Sequence, residues 1–161
     1  MMQREIVKNI ALYYKAIPGM LQLLKQERED LENEYNGLRG MESAGMPRGS
    51  SPGKPTETIG LLAAEKDIGG RIAEIEARER LLYEDVANIR ACLDALNDKY
   101  KRLIQMRYVF GYSWVKTACK VSAPDSTTRR WEAKAITRFG EALEGLPDAD
   151  GLVERASRAR T

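Results

Sequence analysis

The sequence contains no histidine, and this absence excludes several kinds of catalytic and metal-binding site. Without histidine there can be no Ser–His or Cys–His nucleophile pair and no zinc site built on imidazole. Two cysteines are too few to form a four-ligand metal site alone. A glycine-rich phosphate cradle is also missing, because Gly69-Gly70 lacks the surrounding pattern. We therefore expect no enzymatic activity, no cofactor and no metal.

Long apolar runs are missing as well. No stretch approaches the roughly 18 to 20 apolar residues that span a bilayer, and the N-terminus lacks a signal-peptide core. Aromatic residues make up 7% of the chain and charged residues 31%, a balance more typical of long solvent-exposed helices than of a large closed core. We expect an intracellular protein without a membrane partner, in which Cys92 and Cys119 are reduced and partly buried.

The formal net charge of +2 conceals an uneven distribution of charge. Residues 99–140 carry ten basic and two acidic side chains, a local net charge of +8. The preceding 98 residues carry a net charge of −4, and residues 141–161 a net charge of −2. A polyanion is therefore attracted to the segment 99–140 and weakly repelled by the rest of the chain.

Two long patterns of helical periodicity flank a Gly/Pro/Ser-rich run. Apolar residues alternate at steps of three and four, as along a heptad seam. The downstream seam contains Leu61, Ile68, Ile72, Ile75, Leu82, Val86, Ile89, Leu93 and Leu96, and is interrupted by Glu65 and Glu79. The upstream seam contains Leu21, Leu24, Leu31, Tyr35 and Leu38, with Arg28 at one position. A shorter helix before it carries Ile6, Ile10, Tyr13 and Ile17, and Pro18 should end or kink it.

These patterns predict an all-α protein. An antiparallel coiled-coil hairpin is expected over residues 1–97, with helices at about 2–17, 18–38 and 57–97 and a flexible loop at 39–56. Gly69-Gly70 could form a hinge, but the seam keeps its register there, which favours a continuous helix with a close backbone approach. A helix-turn-helix domain is expected at 98–146, and residues 147–161 are predicted to be a disordered tail.

The segment from Tyr100 to Leu143 has the pattern of a helix-turn-helix. An amphipathic stretch ends at Gly111, and Ser113 stands where an N-cap would open a helix over 114–120. A turn at 121–124 leads to a recognition helix at about 125–139. Ala118 supplies the small residue needed where the two helices cross, whereas Ser122 replaces the usual turn glycine. Spacing from Ala118 predicts that the motif core also contains Val121, Thr128 and Trp131.

If the second helix enters the major groove of DNA, its polar residues fall into two groups. Residues predicted to contact bases are Ser126, Thr127, Arg129, Arg130 and Lys134. Residues predicted to contact the DNA backbone are Ser113, Lys116, Lys120 and Arg138. The alternative is that these charges only solvate the outer face of a helical bundle.

Residues Tyr100 to Leu143 resemble sigma factor region four. The similarity lies in the run from Arg107 to Trp114, in Ala118 and Ala135, which are spaced as the two alanines of that family are, and in Ile136 after them. The resemblance implies that Ala135 and Ile136 belong to the motif core. The sequence departs from the family pattern at Pro124, where a capping serine is usual, and at Thr128, where a branched aliphatic residue is usual.

The chain combines an N-terminal helical hairpin with a Gly/Ser/Pro-rich break, an Asn-Asp-Lys-Tyr junction at Asn97 to Tyr100, and a sigma-like C-terminal segment. This layout resembles phage transcriptional regulators of the RinA and ArpU type. That resemblance implies a phage or prophage late-gene activator in the cytoplasm of a bacterial host, which binds double-stranded DNA. We expect a homodimer formed through the helical hairpin, with RNA polymerase as a further candidate partner. Two alternatives are a small terminase-like DNA-packaging subunit and a coiled-coil adaptor that binds no nucleic acid.

Overall fold

The computed structural model describes residues 1–44 and 55–160, with side chains for 1–40 and 60–160. Every regular element in these ranges is helical, so the predicted all-α class is confirmed. The elements are α1 (Arg4–Ala44), α2 (Pro55–Asp94), α3 (Asp98–Ile104), a π-helical turn (Gln105–Val109), α4 (Trp114–Val121), α5 (Asp125–Glu144) and α6 (Ala149–Arg158). None of the helices described is long and apolar enough to cross a membrane.

Helix α1 runs without a break through Pro18, so the predicted boundary between two helices at 17 and 18 is wrong. Proline removes one backbone hydrogen bond from a helix, and this loss is smallest where water reaches the backbone. Pro18 is exposed, whereas Ile17 and Leu24 are buried on either side of it. Burial of the apolar face before and after the proline thus maintains one helix.

The ends of the long helices also differ from the prediction. Helix α1 extends to Ala44 and α2 begins at Pro55, so only residues 45–54 of the predicted loop 39–56 remain, and these lie outside the described residues. Helix α2 ends at Asp94. Asn97 instead opens α3 as its N-cap, because its side-chain oxygen accepts a hydrogen bond from the Tyr100 amide at 2.9 Å.

Helix α2 continues through Gly69-Gly70, as predicted. The close backbone approach expected there is not observed, since no atom lies within 4 Å of a Cβ built on either glycine. Both glycines are exposed, so they reduce helix propensity without serving any packing contact.

The chain divides into two compact units, and residues Gly19–Leu82 form one of them. Among the side chains described in this unit, the buried ones all occupy predicted seam positions, namely Leu24, Leu31, Ile68, Ile75 and Leu82. Two of the polar residues that interrupt the seams lie next to each other, since Arg28 Nε is 3.0 Å from Glu79 Oε1. The segments of α1 and α2 in this unit therefore bury residues that the periodicity selects, and they contact each other at Arg28 and Glu79.

The other unit combines Met1–Pro18 with Tyr83–Thr161, so the predicted domain boundary at residue 97 does not coincide with a boundary in the structure. The start of α1 packs directly on α5. A Cβ added at the buried Gly140 would lie 3.0 Å from Val7 Cγ2, closer than ordinary van der Waals contact. Residues of α1 thus contribute to one core together with α3 to α5.

Residues 149–158 form helix α6, so the prediction of a disordered tail at 147–161 is wrong for this stretch. Leu152 and Ala156, spaced four residues apart, are buried. The Arg155 guanidinium makes two hydrogen bonds to the Asp85 carboxylate, at 2.8 and 2.7 Å. Asp85 is also buried and accepts a further hydrogen bond from the Tyr13 hydroxyl. Because this partner of α6 lies 70 residues away in the chain, local sequence patterns could not predict the contact.

Candidate nucleic-acid interface

Helix α4 begins as the sequence predicts. The Ser113 side chain accepts a hydrogen bond from the Lys116 amide at 3.1 Å, which confirms Ser113 as the N-cap. The Thr117 hydroxyl donates to the Ser113 carbonyl at 2.8 Å, and Thr117 is fully buried. The inward side of this short helix is therefore centred on Thr117, while Ala118 beside it is half-buried.

The turn after α4 passes through Ser122 in the left-handed region, at φ 54° and ψ 46°. This is the position where the motif usually has glycine, so serine adopts the backbone conformation that glycine would supply. The Ser122 amide donates to the Cys119 carbonyl at 3.2 Å, and the Ala123 amide to the Ala118 carbonyl at 3.1 Å. The missing glycine thus leaves the path of the turn intact.

Helix α5 begins at Asp125, as predicted, and ends at Glu144, beyond the predicted end at residue 139. Pro124 occupies the N-cap position and makes no side-chain capping bond. Its carbonyl accepts two hydrogen bonds from Thr128, one from the amide and one from the hydroxyl, both at 2.9 Å. Asp125 places a negative charge in the first turn, where the helix dipole favours it.

The predicted motif core is only partly buried. Thr128, Ala135 and Ile136 are buried. Val121 and Trp131 are half-buried, so Trp131 is a flanking residue rather than the inward anchor of α5. The Lys99 ammonium lies 4.1 Å from the centre of the Trp131 ring, a cation–π contact between α3 and α5.

Glu132 takes the inward position instead, a role that the sequence analysis missed. It is 1% exposed and accepts hydrogen bonds from the Tyr108 hydroxyl and from Arg4, the latter at 2.6 Å. Burial and the hydrogen bond to Glu132 raise the pKa of Tyr108. The spacing of four residues from Thr128 was the available signal, since it places Glu132 on the buried face.

The outward face of α5 consists of five exposed residues at helical spacing, namely Ser126, Arg130, Ala133, Lys134 and Thr137. Within the described residues, Arg130 and Lys134 have no hydrogen bond or ion pair. Both acidic residues of segment 99–140 are already engaged: Glu132 is buried, and Asp125 pairs with Arg129 at 2.8 Å. Between residues 126 and 137 the outward face of α5 therefore carries positive charge and no carboxylate, whereas the exposed Glu141 and Glu144 follow at helical spacing near the end of the helix.

Arg129 and Thr127 differ from the other predicted base contacts. Arg129 pairs with Asp125 and lies 4.6 Å from the centre of the Trp114 ring. The Arg107 guanidinium also lies over that ring, at 4.0 Å. Thr127 is half-buried. Arg129 is consequently held at the flank of the outward face, toward α4, and is less available to DNA than Arg130.

The predicted backbone contacts from α4 and late α5 are exposed. Lys120 has no partner among the described residues, whereas the Lys116 ammonium lies 3.9 Å from the centre of the Tyr112 ring. Arg138 forms an exposed ion pair with Glu141 at 3.4 Å. Cys119 is exposed, contrary to expectation, and only Cys92 is buried. Burial raises the pKa of the Cys92 thiol.

No known protein family, curated protein or solved structure gives a match to this chain. In the part of the chain with described side chains, no three His, Cys, Asp or Glu residues are grouped so as to hold a metal ion.

Proposed function

We propose that this protein is a sequence-specific DNA-binding transcriptional regulator whose helix α5 enters the major groove of double-stranded DNA. The observation that carries the proposal is the outward face of α5, which over residues 126–137 is exposed, positively charged and free of carboxylates. An α-helix fits the width of the major groove, and a guanidinium there can donate two hydrogen bonds to guanine. Arg130 is the side chain best suited to that contact, and Lys134 lies one turn further along the same face.

The surroundings of α5 support a helix-turn-helix in this segment. A short capped helix, a turn through a left-handed residue and a longer helix follow one another at the spacing of that motif. Lys116 and Lys120 on α4 are exposed, which suits contact with phosphates on one side of the groove. Such contacts strengthen binding through release of counterions without reading sequence.

The resemblance to sigma factor region four and to phage regulators of the RinA and ArpU type extends the proposal to a phage or prophage late-gene activator. On this proposal α1 and α2 form a coiled-coil hairpin, which provides self-association or a surface for RNA polymerase. The buried seam residues in Gly19–Leu82, together with the pair of Arg28 and Glu79, are the observation that favours this hairpin.

Selection from a random duplex pool, followed by mobility-shift titration at several salt concentrations, tests the function. We expect one enriched sequence and an affinity that falls steeply with salt. The double variant Arg130→Ala/Lys134→Ala should lose roughly 10-fold or more in affinity for the selected site, because a bidentate base contact is worth about 1–3 kcal/mol. Its control is Arg78→Ala/Arg80→Ala, which removes the same charge from exposed positions on α2.

Two results would contradict the proposal. One is a pool that shows no enrichment, and the other is equal loss of binding in the α5 variant and in its α2 control. A ring of many subunits in solution would instead favour the packaging subunit, since such subunits act as rings whereas regulators read two half-sites as dimers.

A further inference from the structure

Beside α4, a shallow pocket of about 190 Å³ combines basic and aromatic side chains. Its lining residues come from α3, the π-helical turn, the link to α4, and α4 itself, namely Arg102, Gln105, Met106, Phe110, Tyr112 and Lys120. None of them is acidic. Arg102 and Lys120 form no ion pair with any described residue, so their charges are free to meet a ligand.

The π-helical turn creates the exposure of Phe110. Phe110 follows the buried Leu103 by seven residues, a spacing that would place both on one face of a regular α-helix. The Phe110 amide donates to the Gln105 carbonyl five residues back, at 2.8 Å, which inserts an extra residue into the helical ladder. Phe110 is therefore turned out of the core and is 57% exposed.

The two aromatic rings of the pocket differ in what covers them. The rings of Phe110 and Tyr112 lie 5.6 Å apart between their centres and are tilted by 40° relative to each other. The Lys116 ammonium occupies a face of Tyr112, at 3.9 Å from the ring centre. Phe110 thus offers the more open ring, next to the free cations Arg102 and Lys120.

We propose that this pocket binds an unpaired DNA nucleotide, with its base stacked on Phe110 and its phosphates near Arg102 and Lys120. An exposed aromatic ring beside unpaired cations is the combination by which proteins hold single strands, because every base has a face that can stack. Charge complementarity favours an anionic ligand, since the lining residues carry positive charge and no carboxylate. The open Phe110 ring, on which a base can stack, favours a nucleic acid over an acidic peptide. This single-strand pocket contains no residue of the outward face of α5 and goes beyond duplex recognition; it shares only Lys120 with the residues proposed to contact duplex phosphates.

Fluorescence anisotropy with a labelled oligothymidylate tests the single-strand pocket in the full chain. Phe110→Leu retains apolar bulk but loses the aromatic face, and it should weaken binding about 5-fold or more, as expected for one stacked base. Phe110→Tyr should retain wild-type affinity. Tyr83→Leu is the matched control, because Tyr83 is 59% exposed and lies outside the pocket. Far-UV circular dichroism verifies that each variant is folded.

A blunt duplex that carries the selected site separates this inference from the proposed function. Phe110→Leu should bind that duplex as the wild type does, while Arg130→Ala/Lys134→Ala should bind it weakly. If the oligothymidylate binds and the blunt duplex does not, the single-strand pocket stands and the proposed function fails. The single-strand pocket is refuted if the wild type does not bind oligothymidylate, or if Phe110→Leu binds it as tightly as the wild type.

Discussion

Single residues decide the local path of this chain, and Ser122 is the clearest example. A residue with a Cβ at positive φ is strained by about 1–2 kcal/mol relative to the right-handed conformation, and glycine avoids most of that strain. Ser122 holds φ at 54° and is exposed, so its side chain gains little from burial in return. The backbone strain at Ser122 therefore destabilises the turn between α4 and α5, and the packing of the two helices must offset it.

Ser122→Gly should raise the free energy of unfolding by roughly 1 kcal/mol, because it removes the left-handed strain. Chemical denaturation of the purified protein measures this change. Ser157→Gly is the matched control, since Ser157 lies near the end of α6 in helical conformation and glycine there can only weaken the helix. A loss of stability in both variants would show that Ser122 contributes a contact that the turn needs.

Two buried tyrosines are expected to make the stability of the protein fall at alkaline pH. Tyr13 donates to the buried Asp85 and Tyr108 to the buried Glu132. Burial, together with these carboxylates, raises the pKa of both phenols above their ordinary value of about 10. Up to that pH the phenols are protonated in both the folded and the unfolded chain, so their contribution is fully present. Above it the unfolded chain loses protons that the folded chain retains.

The free energy of unfolding should therefore fall as the pH rises above about 10, by up to roughly 1.4 kcal/mol per pH unit for each tyrosine. Urea denaturation at a series of alkaline pH values measures the slope. Tyr13→Phe and Tyr108→Phe should each flatten it, and the exposed Tyr83→Phe serves as the control. An unchanged slope in both buried variants would assign the alkaline loss to other groups.

At the scale of elements, two buried carboxylates connect helices that are distant in sequence. Glu132 joins α5 to the π-helical turn and to the start of α1, through Tyr108 and Arg4. Asp85 joins α2 to α1 and α6, through Tyr13 and Arg155. Each carboxylate has two hydrogen-bond partners, and these offset the free-energy cost of burying its charge. The orientation of α5 thus depends on residues near the N-terminus as well as on α4.

Arg155→Ala should lower the free energy of unfolding by about 2–4 kcal/mol, because it leaves the charge of Asp85 with only Tyr13 as partner. Thermal or urea denaturation provides the measurement. Arg158→Ala on the same helix should change stability by less than about 0.5 kcal/mol, since its side chain is 74% exposed. Equal effects of the two variants would mean that the Asp85 contact does not anchor α6.

At the scale of the whole molecule, we expect a homodimer formed through α1 and α2. In the unit Gly19–Leu82, Leu23 and Leu62 are 73% and 51% exposed, although seam residues nearby are buried. If a second chain packs on α1 and α2, these two side chains are positions where it would bury apolar surface. Reading two half-sites also gives a dimer stronger binding than one helix-turn-helix alone.

Sedimentation at micromolar concentration should therefore give a mass near twice 18.1 kDa. Leu23→Lys and Leu62→Lys should each shift the population toward monomer, because a charge in an apolar interface has no partner. Gln22→Lys, at an exposed neighbouring position, should leave the mass unchanged. A monomer throughout, or a dimer that both leucine variants preserve, would contradict association through these residues.

Local sequence patterns determined much of the secondary structure of this protein. The all-α class, the seam positions of the long helices, the Ser113 cap and the start of α5 at Asp125 follow from periodicity and capping chemistry, which act over a few residues. The uneven distribution of charge is likewise a property of the sequence alone. These features could be predicted because each depends on neighbours within one or two helical turns.

The tertiary structure decided what depends on distant partners. Helix continuity through Pro18, the ordering of α6 by Asp85, and the burial of Glu132 in place of Trp131 all depend on long-range packing. The exposure of Phe110 comes from a single residue inserted in the π-helical turn, which helical spacing alone does not predict. Spacing alone assigns these residues to a face of a helix, but which face is buried depends on the rest of the fold.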